Sequence, residues 1–363
     1  MKTEYSIFNS DCRHFRGDLP CRPHKEHGVH CSNCEYYESK PEKILIIKLG
    51  AIGDVIRTTP LLTRMRRAYP DAEIWWLTYY PEVVPSSVDK LLEFTTEGLL
   101  TVEETEFTRA YNLDKDHHAC ALLNRINAGE KYGFMLDNGK PAPVNDLAKP
   151  KFLTGLFDDV NKENSKSYLQ EIFEICGFEF EGEEYIIDTP LKKDWRNKND
   201  GRPVIGLNTG CGARWVSRMW DEKNWEALIK KFQDEGYYPL LLGGRQEHDK
   251  NLHLEEKTGA DYKGYFSIKE FISLVNECDV VVTAVTMAMH IAIALKKELI
   301  LMNNIFNPNE FELYGRGVIV QPDKECKCFF RPKCVNESYF CMDHLPVEKI
   351  FDAVKARIEL KDK

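Results

Sequence analysis

The chain has 363 residues, 43% hydrophobic and 29% charged, enough to fill complete cores and about two domains in length. Its formal net charge is −9 with the two signs interspersed, so no basic stripe follows a phosphate backbone and nucleic acid is excluded as a partner. No run reaches the ~18 to 20 apolar residues of a spanning helix, and Met1 to Asp11 lacks the apolar centre of a secretory signal, so a cytoplasmic protein is expected.

Residues 1–40 read as a polar extension rich in Cys, His and Pro, with no period long enough to bury a face. Cys12, Cys21, Cys31 and Cys34 lie in it, and Cys326, Cys328, Cys334 and Cys341 gather near the other end of the chain. In a reducing compartment such sets are more often metal ligands than disulfides. The Cys31-x-x-Cys34 spacing lets two thiolates reach one tetrahedral ion, Cys12 and Cys21 complete four ligands, and His24, His27 and His30 are further candidates. Structural zinc or iron is expected there, because so polar a segment has little else to hold it folded. The second set is irregular, so disulfides or a loose group of thiols stay open for it. Cys120, Cys176, Cys211 and Cys278 read as small core or loop residues.

From Lys43 the pattern changes. The apolar run KILIIK, the helix-like GDVIRTTPLLTRMRRAYP and the strand AEIWWLTYY make one βαβ unit. The alternation continues through VVPSSVDKLLEF, AYNLDKD, ACALLNRI and SYLQEIFEICGF, so residues 41–190 form an α/β domain with a mainly parallel sheet. Residues 191–203, charged and ending in Pro, suit a linker. A second α/β series occupies 204–345, with strands PVIGLNTG, YPLLLGG, CDVVVTA and ELILMN. Ser267 and Glu270 form a capping box for SIKEFISLVNE, and a final helix closes residues 346–363. Two doubly wound, Rossmann-like domains facing across a cleft follow from this order, with ligands expected at the carboxyl ends of both sheets.

Four loops at those ends carry the candidate chemistry. Lys48-Leu-Gly50-Ala-Ile-Gly53-Asp54 opens the first helix; Asp54 reads either as a carboxylate complementing the helix dipole or as a general base deprotonating an acceptor hydroxyl. Lys48, Gly53 and Thr58 are its candidate acceptor-side neighbours, although Thr58 also suits plain helix surface ahead of Pro60. The loop Thr209 to Trp220 joins Gly210 and Gly212 to Arg214 and Arg218, a cradle for a diphosphate leaving group. Gly243-Gly244-Arg245-Gln246-Glu247 offers an acid that can accept two ribose hydroxyls or simply begin a helix. Thr286 and Met287 start a helix whose amides can face phosphate, and His290 one turn on is either a ligand contact or a core residue.

The run ILIIKLGAIGDVIRTTPLLTRMRRAYPDAEIWWLT resembles the opening of the heptosyltransferase family of glycosyltransferases (family 9), with its Gly-Asp turn, Thr-Pro and Tyr-Pro. The resemblance implies a GT-B fold and transfer of a sugar, heptose from ADP-heptose, to a glycan or protein acceptor. It places the family's base on Asp54, its phosphate-binding cation on Arg218, its ribose-contacting acid on Glu247 and its nucleoside loop on Phe306 to Glu310. It also implies that Asp114-Lys115-Asp116 binds no catalytic metal, and that the Cys326 to Cys341 loop matches one with which some relatives that glycosylate autotransporters bind iron and assemble. One departure stands out: the family's Asp-Thr-Gly-x-x-His is Val285-Thr286-Met287-Ala288-Met289-His290, losing the acid that holds the sugar. Lipid-linked acceptors with peripheral membrane contact, and an oligomer, are compatible. Two other readings are a nucleotide-sugar 2-epimerase of GT-B fold, which the Gly-Asp opening disfavours, and a non-catalytic binding subunit, which retained Asp54 and Arg218 disfavour.

Overall fold

The computed structural model describes residues 7–195, 199–212 and 214–361. Parts of the extension (1–6), the linker (196–198), the Gly-rich loop (213) and the final helix (362–363) lie outside the described residues. Among the described residues there are two six-stranded sheets. The first contains β1 (Glu42–Ile47), β2 (Ala72–Thr78), β3 (Lys90–Glu93), β4 (Phe107–Asn112), β5 (Ala128–Asp137) and β6 (Lys140–Pro143), in the order β3-β2-β1-β4-β5-β6. The second contains β7 (Val204–Asn208), β8 (Tyr238–Leu242), β9 (Asp261–Tyr262), β10 (Val280–Ala284), β11 (Glu298–Met302) and β12 (Gly317–Val320), in the order β12-β11-β10-β7-β8-β9.

The second sheet is parallel throughout, and the first is parallel apart from the β5–β6 hairpin. The hairpin turns through Asn138 and Gly139 at φ 46° and 77°, the two left-handed residues a two-residue turn requires. Central strands are apolar on both faces because helices cover both: Ile44 to Ile47 in β1 and Val280 to Val282 in β10 are fully buried.

Those helices are α1 (Arg22–His27), in the extension, then α2 (Ile52–Ile56), α3 (Pro60–Ala68), α4 (Thr96–Glu103), α5 (His117–Arg125), α6 (Lys149–Thr154), α7 (Asp158–Glu163) and α8 (Tyr168–Ile175). The second domain adds α9 (Glu222–Asp234), α10 (His248–Thr258), α11 (Ile268–Asn276), α12 (Met287–Ala294) and α13 (Val347–Lys361). The long first helix expected from the sequence is two helices. Pro60 cannot donate to the preceding turn and its ring clashes with it, so the chain bends at Thr58–Thr59 and restarts with Pro60 at the first helical position. Capping boxes start α8 (Ser167, Gln170) and α11 (Ser267, Glu270).

The cysteine sets do not make metal sites: among the described residues no group of three or more His, Cys, Asp or Glu is placed to hold a metal ion, which corrects the structural zinc or iron read from the sequence. In the extension Cys12 bridges to Ser39, Cys21 precedes α1, and Cys31 and Cys34 flank a short 3-10 turn. The imidazoles are used otherwise: His27 stacks on Tyr36, and His24 meets His30 edge-on and bonds the Val29 carbonyl at 3.0 Å. At the other end the thiols pair two by two, Cys326 with Cys341 at 3.2 Å and Cys328 with Cys334 at 3.6 Å, instead of converging on one centre. The extension is held to the first domain by an ion pair and a hydrogen bond: Arg13, steadied by Glu38 of the extension at 3.0 Å, reaches Asp89 at 3.1 Å, and Lys40 donates to the Pro70 carbonyl at 2.9 Å.

Candidate active site

The two domains enclose a cleft of about 900 Å³ at the carboxyl ends of β1, β7, β8, β10 and β11. Its walls come close enough for side chains to cross. A Cβ on Gly53 would lie 2.5 Å from the His290 ring, so the missing side chain lets α2 pack on α12 of the other domain. Arg57 of α2 pairs with Glu310 beyond β11 at 2.8 Å, and Tyr314 donates to the Glu183 carbonyl at 2.6 Å.

Asp54 sits in the first turn of α2 and lines the cleft with 34% of its side chain exposed. Arg57, one turn along the same helix, pairs with it at 2.8 Å, and the Ala51 N–H donates to it at 3.2 Å. Burial pushes the Asp54 carboxyl up, but the charge of Arg57, then of Lys48, with the Ala51 amide, more than offsets this and holds it below the usual carboxylate range. Arg57 itself is fixed by Glu310 and by the Tyr168 ring 3.4 Å below its guanidinium. The sequence offered one signal for Arg57, its i+3 spacing from Asp54. Glu310 lies 253 positions away and no local pattern reveals the pairing.

Arg218 faces Asp54's wall from the second domain. It is only 6% exposed, and its two terminal nitrogens donate to the carbonyls of Cys211, at 3.1 Å, and Val285. Its Nε has no partner, and among the described residues no carboxylate pairs with it. Burial accordingly lowers its pKa to about 10. Beside it begins α12, with Thr286 as N-cap; the Thr286 hydroxyl bonds Thr283 and Asn208, leaving the first amides of the helix to the cleft. Glu247 folds over Gly210, where a Cβ would lie 2.0 Å from its carboxylate, and accepts from the Gly244 N–H at 3.0 Å. Lys250, also lowered by burial, donates to the Thr209 carbonyl nearby.

The structure thus brings Gly53, Asp54, Gly210, Arg218, Glu247, Thr286, Met287 and His290 to one cleft. His290 is 6% exposed, its Nδ1 has no partner among the described residues, and burial followed by the charge of Arg57 drops its pKa to about 3, so it is a neutral interface residue. Three expected residues are not brought there. Lys48 is buried in an ion pair with Asp114, which also accepts from the Leu49 amide, so these two hold the end of β1. Thr58 is fully buried and donates to the Asp54 carbonyl at 2.7 Å. Arg214 is exposed and lies against its neighbour Trp215. The Phe306 to Glu310 loop, expected around a nucleoside, follows β11, which β10 and β7 separate from the β8 turn carrying Glu247.

Comparison with known proteins agrees with this architecture. The model of glycosyltransferase family 9 (heptosyltransferase) matches residues 101–339, more than half of the chain. Lipopolysaccharide heptosyltransferase 2 of Escherichia coli strain K12 is 26% identical, over 74% of this chain and 84% of that protein. The crystal structure of a family 9 glycosyl transferase from Veillonella parvula DSM 2008 superimposes with a TM-score of 0.67 at 16% identity, covering 88% of this chain and 98% of that one. The structure of E. coli ADP-heptose lps heptosyltransferase II does so with a TM-score of 0.65 at 16% identity, covering 88% and 100%. Among the described residues no helix is long and apolar enough to cross a membrane. The chain belongs to glycosyltransferase family 9, the heptosyltransferase family, and is a glycosyltransferase-type enzyme of GT-B fold.

Proposed function

We propose that this enzyme transfers heptose from ADP-heptose to a hydroxyl of a glycan, lipid-linked glycan or protein acceptor, with inversion at the anomeric carbon. The observation that carries the reading is Arg218: a buried cation with no carboxylate partner among the described residues, fixed by two carbonyls beside the start of α12. Such a group is a preorganised partner for a diphosphate, whose charge grows as the glycosidic bond breaks. Across the cleft, Asp54, half-buried and held below the usual carboxylate range, lines the wall opposite and can face an acceptor hydroxyl.

In the reaction, Asp54 takes the proton of the acceptor hydroxyl as its oxygen bonds the anomeric carbon. The bond from that carbon to the diphosphate oxygen breaks, its electron pair leaves with ADP, and Arg218 with the α12 amides stabilises the charge. Glu247 receives the ribose hydroxyls, as its position over Gly210 at the β8 end supports. The choice of ADP-heptose rests on the family and on relatives named for heptosyl transfer.

Asp54→Asn tests the reading. The expected result is loss of turnover with ADP affinity retained, because the amide keeps the shape but takes no proton. An unchanged rate removes Asp54 as the base.

A further inference from the structure

Beside Arg218 lies an aromatic cluster that the diphosphate chemistry leaves unused. The Trp215 and Phe306 rings lie 5.6 Å apart, Phe330 meets Phe306 edge-on at 5.0 Å and Trp215 at 6.1 Å, and all three line the cleft. The Arg218 guanidinium is 5.3 Å from the Phe306 centroid and 5.5 Å from that of Trp215.

Phe330 is built into this position at a cost. It adopts φ 52°, a left-handed conformation unusual for a bulky residue and characteristic of functional sites, yet it stays 43% exposed. Its segment is sewn to the Arg218 loop: the Phe330 amide donates to the Ile305 carbonyl at 2.9 Å. Ser217 donates through its hydroxyl to the Arg331 carbonyl at 2.7 Å and through its amide to the Pro332 carbonyl at 3.1 Å. The cysteine-rich loop therefore delivers one ring to the wall of the cleft.

We propose that Trp215, Phe306 and Phe330 form a stacking subsite for the pyranose ring of a nucleotide sugar. The inference rests on the donor reading above, and strand order supplies the direction. Glu247 stands at the end of β8, Arg218 and the α12 start follow β7 and β10, and Phe306 follows β11. A nucleoside diphosphate laid along that row with its ribose at Glu247 puts its sugar on the β11 side, over the aromatic rings. A pyranose presents a face of C–H groups and a rim of hydroxyls. The rings meet the face, and Asp54, Arg57 and Glu310, lining the same cleft, meet the rim. With Val285 offering no polar side chain at the end of β10, ring stacking supplies the hold on the sugar.

The experiment compares binding of ADP and ADP-heptose by wild type, Phe330→Gly and Phe329→Ala. Glycine suits the left-handed backbone, so the first variant removes the ring without disturbing the loop. Phe329 packs under Lys162 and 6.0 Å from the Phe330 ring, does not line the cleft, and serves as the control for packing behind that ring. Wild type is expected to bind ADP-heptose more tightly than ADP. Phe330→Gly is expected to weaken ADP-heptose about tenfold, the scale of one lost aromatic contact, while ADP binding is unchanged. Phe329→Ala should leave both affinities intact. If ADP binds and Phe330→Gly keeps the full advantage of ADP-heptose, or loses both ligands equally, the stacking subsite is overturned while the donor site stands. If wild type binds neither compound, the donor reading fails and the subsite with it.

Discussion

Replacing Arg218 with methionine separates a ligand-binding cation from a structural strut. In the unliganded protein the arginine is held at a loss: burial lowers its pKa to about 10, which puts the cost of keeping it charged at about 3 kcal/mol. Against this stand its two hydrogen bonds, to Cys211 and Val285, each worth ~1.5 to 3 kcal/mol for a charged donor. The terms are similar in size and opposite in sign, so Arg218→Met should change apo stability by no more than about 3 kcal/mol. Ligand linkage behaves differently. ADP at a hundred times its Kd stabilises wild type by about 2.7 kcal/mol, and a variant binding a hundredfold more weakly gains only about 0.4 kcal/mol at the same concentration. In thermal denaturation this predicts an apo midpoint shifted by a few degrees and an ADP-induced rise of about 3 to 4 °C that is present in wild type and nearly absent in the variant. A variant that melts far below wild type yet keeps its ADP response would make Arg218 a structural strut and not a ligand-binding cation.

Three further outcomes are expected. Arg57→Met removes the charge that holds Asp54 low, so the acid limb of the kcat/KM profile should move to higher pH and activity should fall more at acid than at neutral pH; a limb that stays put excludes Asp54 as the titrating base. His290 has its folded pKa lowered to about 3, against 6.5 for the free side chain, so the unfolded chain binds the proton first. Its contribution is complete above pH ~6.5 and is lost as pH falls towards 3, on the order of 4 to 5 kcal/mol, and His290→Gln should flatten that part of the stability curve in acid denaturation. Gly53→Ala drives a Cβ into the His290 ring across the domain interface and should cost ~1 to 3 kcal/mol while widening the cleft; a midpoint equal to wild type would show that α2 and α12 give way freely.

Elements whose signal is local were readable from the sequence. The apolar runs of β1, β7 and β10 are long enough to be strands and too short for helices, and the Ser267 box marks the start of α11. Asn138-Gly139 is a local hairpin signal at the β5–β6 turn, whereas α10, charged and weakly amphipathic, offers little periodicity. At the site, Asp54 and Arg218 stand in glycine turns at strand ends, so topology alone brings them to the cleft. The partners of Lys48 and Arg57 are 66 and 253 positions away, and only the fold makes those pairs. Cysteine spacing says which thiols can reach one another. It does not say where they point, and the two C-terminal pairs are set by the path of the loop that carries Phe330.

The most direct test is a crystal structure of the protein with ADP. The diphosphate is expected between Arg218 and the first amides of α12, the ribose hydroxyls on Glu247, and the open end of the diphosphate directed at Phe306 and Asp54. A nucleoside seated over the Phe306 to Glu310 loop, or ADP bound away from Arg218, would contradict this placement.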